Sequence, residues 1–152
     1  MDRLEIIYCG SSTSEYLFDP HRATKQASGI DLQYIADKTM PVRPNQIVLV
    51  PTGMKIKLHE GFEAQVRTRS GMAYKHGIVV LNSPGTIDAD YTGEIRVIIK
   101  NMSAETFVFV PGMRIAQLVI APVCMCEPVV LREGSLFEET ERGSGGFGST
   151  GE

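Results

Sequence analysis

No stretch of the 152-residue chain approaches the roughly 18 apolar residues of a membrane span, and Met1-Asp2-Arg3-Leu4-Glu5 lacks the apolar core of a secretion signal. No membrane partner is expected. Cysteine is scarce: Cys9, Cys124 and Cys126 are an odd count and too few for a disulfide framework. A reducing, cytoplasmic setting is the expectation. A basic excess is missing too, since 15 Lys and Arg against 18 Asp and Glu leave a net charge of −3. That argues against a sequence-independent nucleic-acid binder, which normally needs strong positive charge. There is no Gly-x-Ser-x-Gly elbow and no P-loop of the Gly-x4-Gly-Lys-Ser/Thr kind. His21, His59 and His76 are scattered, and Cys124-Met125-Cys126 has no histidine nearby, so zinc is a poor reading and the two thiols read as ordinary strand residues. What is present, 43% apolar and 22% charged residues in 16.7 kDa, describes one soluble globular domain. A chain of this length buries roughly 70% of its unfolded surface and needs no disulfide or metal staple.

Helix signals are few; apolar residues recur with a period of two. Phe62, Ala64 and Val66 alternate with Glu63, Gln65 and Arg67, and Ile95, Val97 and Ile99 alternate with Glu94, Arg96 and Lys100. Successive side chains of a strand point to opposite faces, so both runs predict half-buried strands. Shorter β-branched runs lie at Leu4–Tyr8, Ile47–Val50, Met54–Leu58, Ile78–Leu81, Thr106–Val110 and Arg114–Val119. Turn residues punctuate them at Pro51-Thr52-Gly53, Glu60-Gly61, Ser83-Pro84-Gly85, Thr92-Gly93 and Pro111-Gly112. Many short strands so spaced predict an all-β antiparallel sandwich, jelly roll or barrel. The one helix candidate is Ser70–Lys75, with Ser70 as its cap.

The C-terminal stretch differs. Residues 143–151 hold five of the fifteen glycines, a composition that by itself reads as a tail unable to offset its backbone entropy. Arg142 and Phe147 set among those glycines, followed by Ser149-Thr150, supply a cation, a stacking face and backbone N–H groups, a mixture suited to a nucleotide. Two further constellations are chemically suggestive. Arg67-Thr68-Arg69-Ser70-Gly71 joins two guanidiniums to hydroxyls and a helix start, a plausible anion site or a solvated strand end. Gly85 to Glu94 places Asp88 and Asp90 two residues apart beside Tyr91, where an extended backbone would set both carboxylates on one face. One carboxylate suits a general base, or the pair a hard cation; an Asp-rich turn is the plainer alternative. Gln117 is a polar intruder in an apolar strand and needs a partner.

Five segments, in order, resemble the motifs of the trimeric dUTPase family (deoxyuridine triphosphate nucleotidohydrolases). They are Ala27-Ser28-Gly29-Ile30-Asp31-Leu32; Arg69-Ser70-Gly71-Met72-Ala73; Asn82 with Gly85–Glu94; Gly112-Met113-Arg114-Ile115-Ala116-Gln117-Leu118; and Arg142–Gly151. Any one is weak; all five together are specific. The first 25 residues carry no usable motif. Met72 stands where the family usually has leucine, a volume-conserving exchange.

The resemblance implies a jelly-roll-like β domain over 1–135 and a C-terminal arm over 136–152 that closes an active site of a homotrimer, the sites lying at subunit interfaces. It implies hydrolysis of dUTP to dUMP and pyrophosphate with Mg²⁺. By the same resemblance Asp88 activates the water that attacks the α-phosphorus, and Tyr91 packs under the deoxyribose, leaving no room for a 2′-hydroxyl. Asn82, the backbone of Gly85, Thr86 and Ile87, and Arg96 would read uracil in a hairpin pocket. Arg69, Ser70, Gly71 and Gln117 would hold phosphates. Asp31 would reach the metal through water, the direct ligands being phosphate oxygens and waters. From the arm, Phe147 would stack on uracil, Arg142 would meet the outer phosphate, and Gly148, Ser149 and Thr150 would help hold the chain.

These roles are physically consistent. Uracil and cytosine exchange a donor for an acceptor at adjacent ring positions, so a site wired for one leaves polar groups unpaired with the other, roughly 1–3 kcal/mol per group. A triphosphate brought to a chain of net −3 must be neutralised locally. Asp90 is assigned to structure or charge balance, with the base role open to it as the alternative. Two other functions compete: deamination of dCTP by a relative with the same fold, against which the Ile87–Ile95 run and the complete arm speak, and an interaction protein that keeps the fold.

Overall fold

The computed structural model describes residues 4–9, 20, 22–132, 140 and 143–145. Among these, ten strands and one helix follow one another: β1 Glu5–Tyr8, β2 Ile30–Gln33, β3 Met40–Val42, β4 Ile47–Lys57, β5 Phe62–Arg67, α1 Ser70–His76, β6 Ile78–Val80, β7 Gly85–Ile87, β8 Ile95–Asn101, β9 Phe107–Phe109 and β10 Arg114–Pro122. Two four-stranded sheets, ordered β1-β4-β8-β6 and β2-β10-β5-β7, and a two-stranded sheet β3-β9 make the body. All the pairings are antiparallel. The fold is the expected jelly-roll-like β architecture.

The period-two runs explain the packing. Ile95, Val97 and Ile99 of β8 point inward and are fully covered, as are Val50 of β4, Leu32 of β2 and Leu118 of β10, so both large sheets share one core. Each such side chain contributes roughly 1.5–3 kcal/mol by leaving water. Asn101 continues the inward row of β8 and is buried with every polar atom satisfied: Nδ2 donates to the carbonyls of Val42 (2.9 Å) and Glu105 (2.8 Å), and Oδ1 accepts from the Ser103 N–H and hydroxyl. It thereby ties the β3-β9 sheet to the main body.

Three local expectations change. Pro51-Thr52-Gly53 is not a turn between strands but a bulge inside the single long strand β4, where the register against β8 shifts between Pro51 and Met54 and Gly53 has φ +63°. Thr52, buried there, donates its hydroxyl to the Ile95 carbonyl at 2.6 Å. Ser70 does not cap α1: Arg69 is the N-cap residue, without a side-chain hydrogen bond, and Ser70 is the first helical residue. Cys124 and Cys126 lie beyond β10, in exposed irregular chain rather than in a strand. Of the segment 136–152 assigned to a C-terminal arm, only residues 140 and 143–145 are described. No helix among the described residues is long and apolar enough to cross a membrane.

Candidate active site

Three neighbouring strands build the first half of the site. In the sheet register Gln117 of β10 stands opposite both Asp31 of β2 and Arg67 of β5. Laterally paired residues share a face, so Asp31, Gln117 and Arg67 form one row, opposite in sense to the inward row of Ile30, Leu118 and Val66. Asp31 holds two guanidiniums: its Oδ1 lies 2.9 Å from Arg69 Nε and its Oδ2 3.1 Å from Arg114 Nη1. Arg69 Nη1 also donates to the Arg114 carbonyl at 3.0 Å. Gln117 finds its partner in the Thr68 carbonyl, to which Nε2 donates at 3.1 Å. Gly29 makes room for it, since a Cβ there would stand 2.5 Å from Gln117 Oε1.

With Arg67, Arg69 and Arg114 against the single carboxylate of Asp31, this face is locally positive in a chain of net −3. Ser70 and Gly71, both exposed, open α1 directly beside it, and the N–H groups of a first helical turn have no intrahelical acceptor. Nothing among the described residues stands within 4 Å of a Cβ built on Gly71, so their packing does not demand glycine there. An anion with several oxygens suits this arrangement of forks and backbone donors.

The second half surrounds residues 81–94. The expected hairpin is an opened one: β6 pairs with β8 in one sheet and β7 with β5 in the other, so the two arms diverge and each is the edge strand of its sheet. Thr68 ties the two sheets there, its hydroxyl accepting from the Val80 N–H at 2.9 Å and its own N–H donating to Ser83 Oγ at 3.3 Å. The Ser83–Pro84 peptide in the connection is cis. Gly85 is buried beneath Asn82, whose Nδ2 would stand 2.9 Å from a Cβ at that position. Asp88, Ala89 and Asp90 are not extended; they form a turn closed by the Tyr91 N–H donating to the Asp88 carbonyl at 3.1 Å. Asp88 and Asp90 are exposed and line one cleft of about 630 Å³ with Phe62, Val123 and Met125.

The Tyr91 ring lies over Gly93, where no side chain would fit, and its hydroxyl donates to the Glu94 carbonyl at 2.9 Å. Tyr91 as a whole residue remains 45% exposed. Glu94 in turn accepts from the Gly53 N–H of the β4 bulge (2.9 Å) and from Arg96 Nε (3.0 Å). Arg96 thus sits in a shallow groove with Tyr91, Ile87 and Ile98.

Asp88 and Arg69 are held apart. Asp88 follows the pairing Ala64↔Ile87, so it lies beside the start of β5, whereas Arg69 lies beyond its end. Six steps of extended chain, from position 63 to 69, span roughly 20 Å. Asp31, Arg69, Ser70, Gly71 and Gln117 therefore stand together; Gly85, opposite Val66, and Asn82 above it lie near that same end of β5, Thr86 lies opposite Gln65, and Ile87, Asp88, Tyr91 and Arg96 lie toward the start of β5. The remaining expected site residues, Arg142, Phe147, Gly148, Ser149 and Thr150, lie outside the described residues. Reading the sequence missed Arg114, Thr68 and Glu94. Arg114 had a signal, a cation directly before the inward-facing pair Ile115 and Ala116 in the strand carrying Gln117; Thr68 stood in the anion constellation without a role of its own, and Glu94 acts through contacts distant in sequence and had none.

Known proteins share this architecture. The dUTPase family profile matches residues 15–151. The deoxyuridine 5′-triphosphate nucleotidohydrolase of Chlamydia felis is 51% identical over 133 residues, 88% of this chain and 90% of that one. A crystal structure of the Streptococcus mutans dUTPase superposes with a TM-score of 0.71 at 34% identity, covering 82% of this chain and 98% of that one. The G164S dUTPase of Staphylococcus bacteriophage 80alpha, solved with dUpNHpp, gives a TM-score of 0.79 at 25% identity over 99% of both chains. With motifs, sheet order and relatives in agreement over most of its length, the chain belongs to the dUTPase family.

Proposed function

We infer that the chain hydrolyses dUTP to dUMP and pyrophosphate, in a site assembled from more than one copy of itself. The observation that carries this reading is the positive face of Arg67, Arg69 and Arg114 around Asp31, with Gln117 beside it, open next to the N–H groups of Ser70 and Gly71. It suits the outer phosphates of a nucleotide. Asp88 is exposed, with its carboxylate available to accept a proton. It takes one from water as that water attacks the α-phosphorus; the bond from that phosphorus to its bridging oxygen breaks, and pyrophosphate leaves with its charge matched by the guanidiniums.

The backbone between the diverging arms of β6 and β7, with Asn82, offers uracil donors and acceptors in fixed order, and cytosine would leave them mismatched. Tyr91 offers a ring face to the deoxyribose and excludes a 2′-hydroxyl by contact. Because Asp88 and Arg69 of one chain stand roughly 20 Å apart along β5, one nucleotide meets Asp88 of one copy and Arg69 of another. That separation supports the homotrimer, with the segment 136–152 closing each site through Arg142, Phe147, Gly148, Ser149 and Thr150, and residues 1–135 forming the barrel.

Among the described residues no three His, Cys, Asp or Glu side chains gather as a metal cage. Both oxygens of Asp31 already face arginines. That donor set fits Mg²⁺ carried mainly by phosphate oxygens and water, with Asp31 reaching it through water. When bound, Mg²⁺ neutralises phosphate charge and polarises the phosphorus centre. The test is pyrophosphate release from dUTP, dCTP, dTTP and UTP, with Mg²⁺ and with excess chelator. Metal-dependent turnover of dUTP alone is expected; turnover of none of the four, or ammonia release from dCTP, overturns the reading.

A further inference from the structure

After β10 ends at Pro122, the chain is pinned once more, by the Val123 N–H donating to the Gly61 carbonyl at 2.8 Å. It then turns sharply. The Cys126 N–H donates to the Cys124 carbonyl at 3.0 Å, an i to i+2 bond that closes a γ-turn around Met125. Residues two apart on a strand share a face but stand roughly 6.5 Å from each other. Here the turn brings the two sulfurs to 3.0 Å, and both side chains are exposed. A disulfide needs about 2.05 Å between sulfurs, so about one ångström of approach separates this dithiol from a covalent bond. Val123 and Met125, on either side of Cys124, line the cleft that holds Asp88, Asp90 and Phe62.

We propose that Cys124 and Cys126 are a reversible thiol–disulfide pair whose closure fixes the wall of the cleft beside Asp88. The oxidant is hydrogen peroxide. One thiolate attacks the peroxide oxygen, the O–O bond breaks, and the departing oxygen takes a proton and leaves as water, giving a sulfenic acid. The second sulfur then attacks the sulfenic sulfur; the S–S bond forms, the S–O bond breaks and a second water leaves. Two thiols are oxidised by two electrons and one peroxide is reduced to two waters. The hydrogen bond with Cys124, and a little desolvation, hold the Cys126 thiol above its ordinary range, so Cys126 keeps its proton longer and suits the second step. No third ligand gathers at the pair among the described residues, which favours thiol chemistry over a metal. Cys9, exposed at the end of β1, has a separate place in the fold and serves as the internal control. The consequence for turnover rests on the reading of Asp88; the thiol chemistry does not.

The test uses the full-length Cys9→Ser protein, reduced, freed of reductant and treated with hydrogen peroxide. Thiol titration and intact mass are expected to show both thiols lost together with two hydrogens and no added oxygen, restored by dithiothreitol. The additional Cys124→Ser or Cys126→Ser change should abolish that loss. Unreacted thiols, oxygen adducts retained on each sulfur, or cross-linked chains on a non-reducing gel would overturn the pairing. Closure should slow amide hydrogen exchange across residues 123–126; unchanged exchange overturns the fixed wall. Finally, kcat/KM for dUTP should differ about tenfold between the two forms, since misplacement near reacting groups costs up to roughly 10²-fold. Equal values overturn the link to the cleft, whereas absence of turnover in both forms sinks the Asp88 reading and leaves the thiol and exchange results to decide the rest.

Discussion

Asp31 and Arg69 meet at 2.9 Å, Oδ1 to Nε, with only 18% and 26% of their side chains exposed. The carboxylate of β2 thereby sets the direction of a guanidinium that follows β5, and its other oxygen sets Arg114. Asp31→Ala should lower stability by about 1–3 kcal/mol, the range for hydrogen bonds to charged groups. It should also raise KM for dUTP more than it lowers kcat, because it frees the two arginines proposed to face phosphate. Thermal denaturation and steady-state kinetics read the two effects; a KM equal to that of the parent protein would remove Asp31 from the nucleotide site.

Asp88→Asn should fold, assemble and bind nucleotide while losing at least about 10² in turnover, the usual loss on removing a general base. Asp90→Asn is the companion. Near-normal turnover in the first variant with a deficit in the second would transfer the base role across the turn.

Gly93→Ala places a methyl where the Tyr91 hydroxyl and ring now lie. The ring must swing away, and the ratio of kcat/KM for dUTP over UTP should fall by about tenfold or more, equivalent to roughly 1.4 kcal/mol of lost discrimination. A ratio that stays constant would show that sugar selection does not come from Tyr91.

Deleting residues 141–152 should leave the assembly intact by gel filtration and the activity largely lost. Full activity in the truncated protein would mean that Arg142 and Phe147 do not close over nucleotide.

Much of this was readable from residue order. Alternation in Phe62–Arg67 and Ile95–Ile99 predicted the inward rows, because a half-buried strand leaves a period of two in any sequence. Gln117 announced a hydrogen bond, since an amide in an apolar strand is not left unpaired. Turn residues misled where tertiary context overrode them. Pro51-Thr52-Gly53 has turn chemistry, yet the Thr52 hydroxyl and the Glu94 carboxylate hold it as a bulge, and those partners are over forty residues away. The divergence of β6 and β7 was equally hidden: a three-residue strand says nothing about which neighbour it will choose. In the site, residue identities came from motif order. The Asp31 arginine pairs, the Thr68 tie and the roughly 20 Å between Asp88 and Arg69 came only from the sheet register.

The opened arms of β6 and β7 have a thermodynamic consequence. On the proposed reading, the outer-edge groups still open, which do not include the Val80 N–H and C=O held by the Thr68 hydroxyl and the Ser83 N–H, meet water before any nucleotide arrives, so a correct base exchanges one set of hydrogen bonds for another. Such an exchange nets only about 0.5–1.5 kcal/mol per bond, whereas a mispaired base strips water and returns nothing, at about 1–3 kcal/mol per group. A slot built from open backbone therefore rewards the right base weakly and penalises the wrong one strongly. It turns selectivity into a property of rejection, and it lets product depart without a deep binding well to climb.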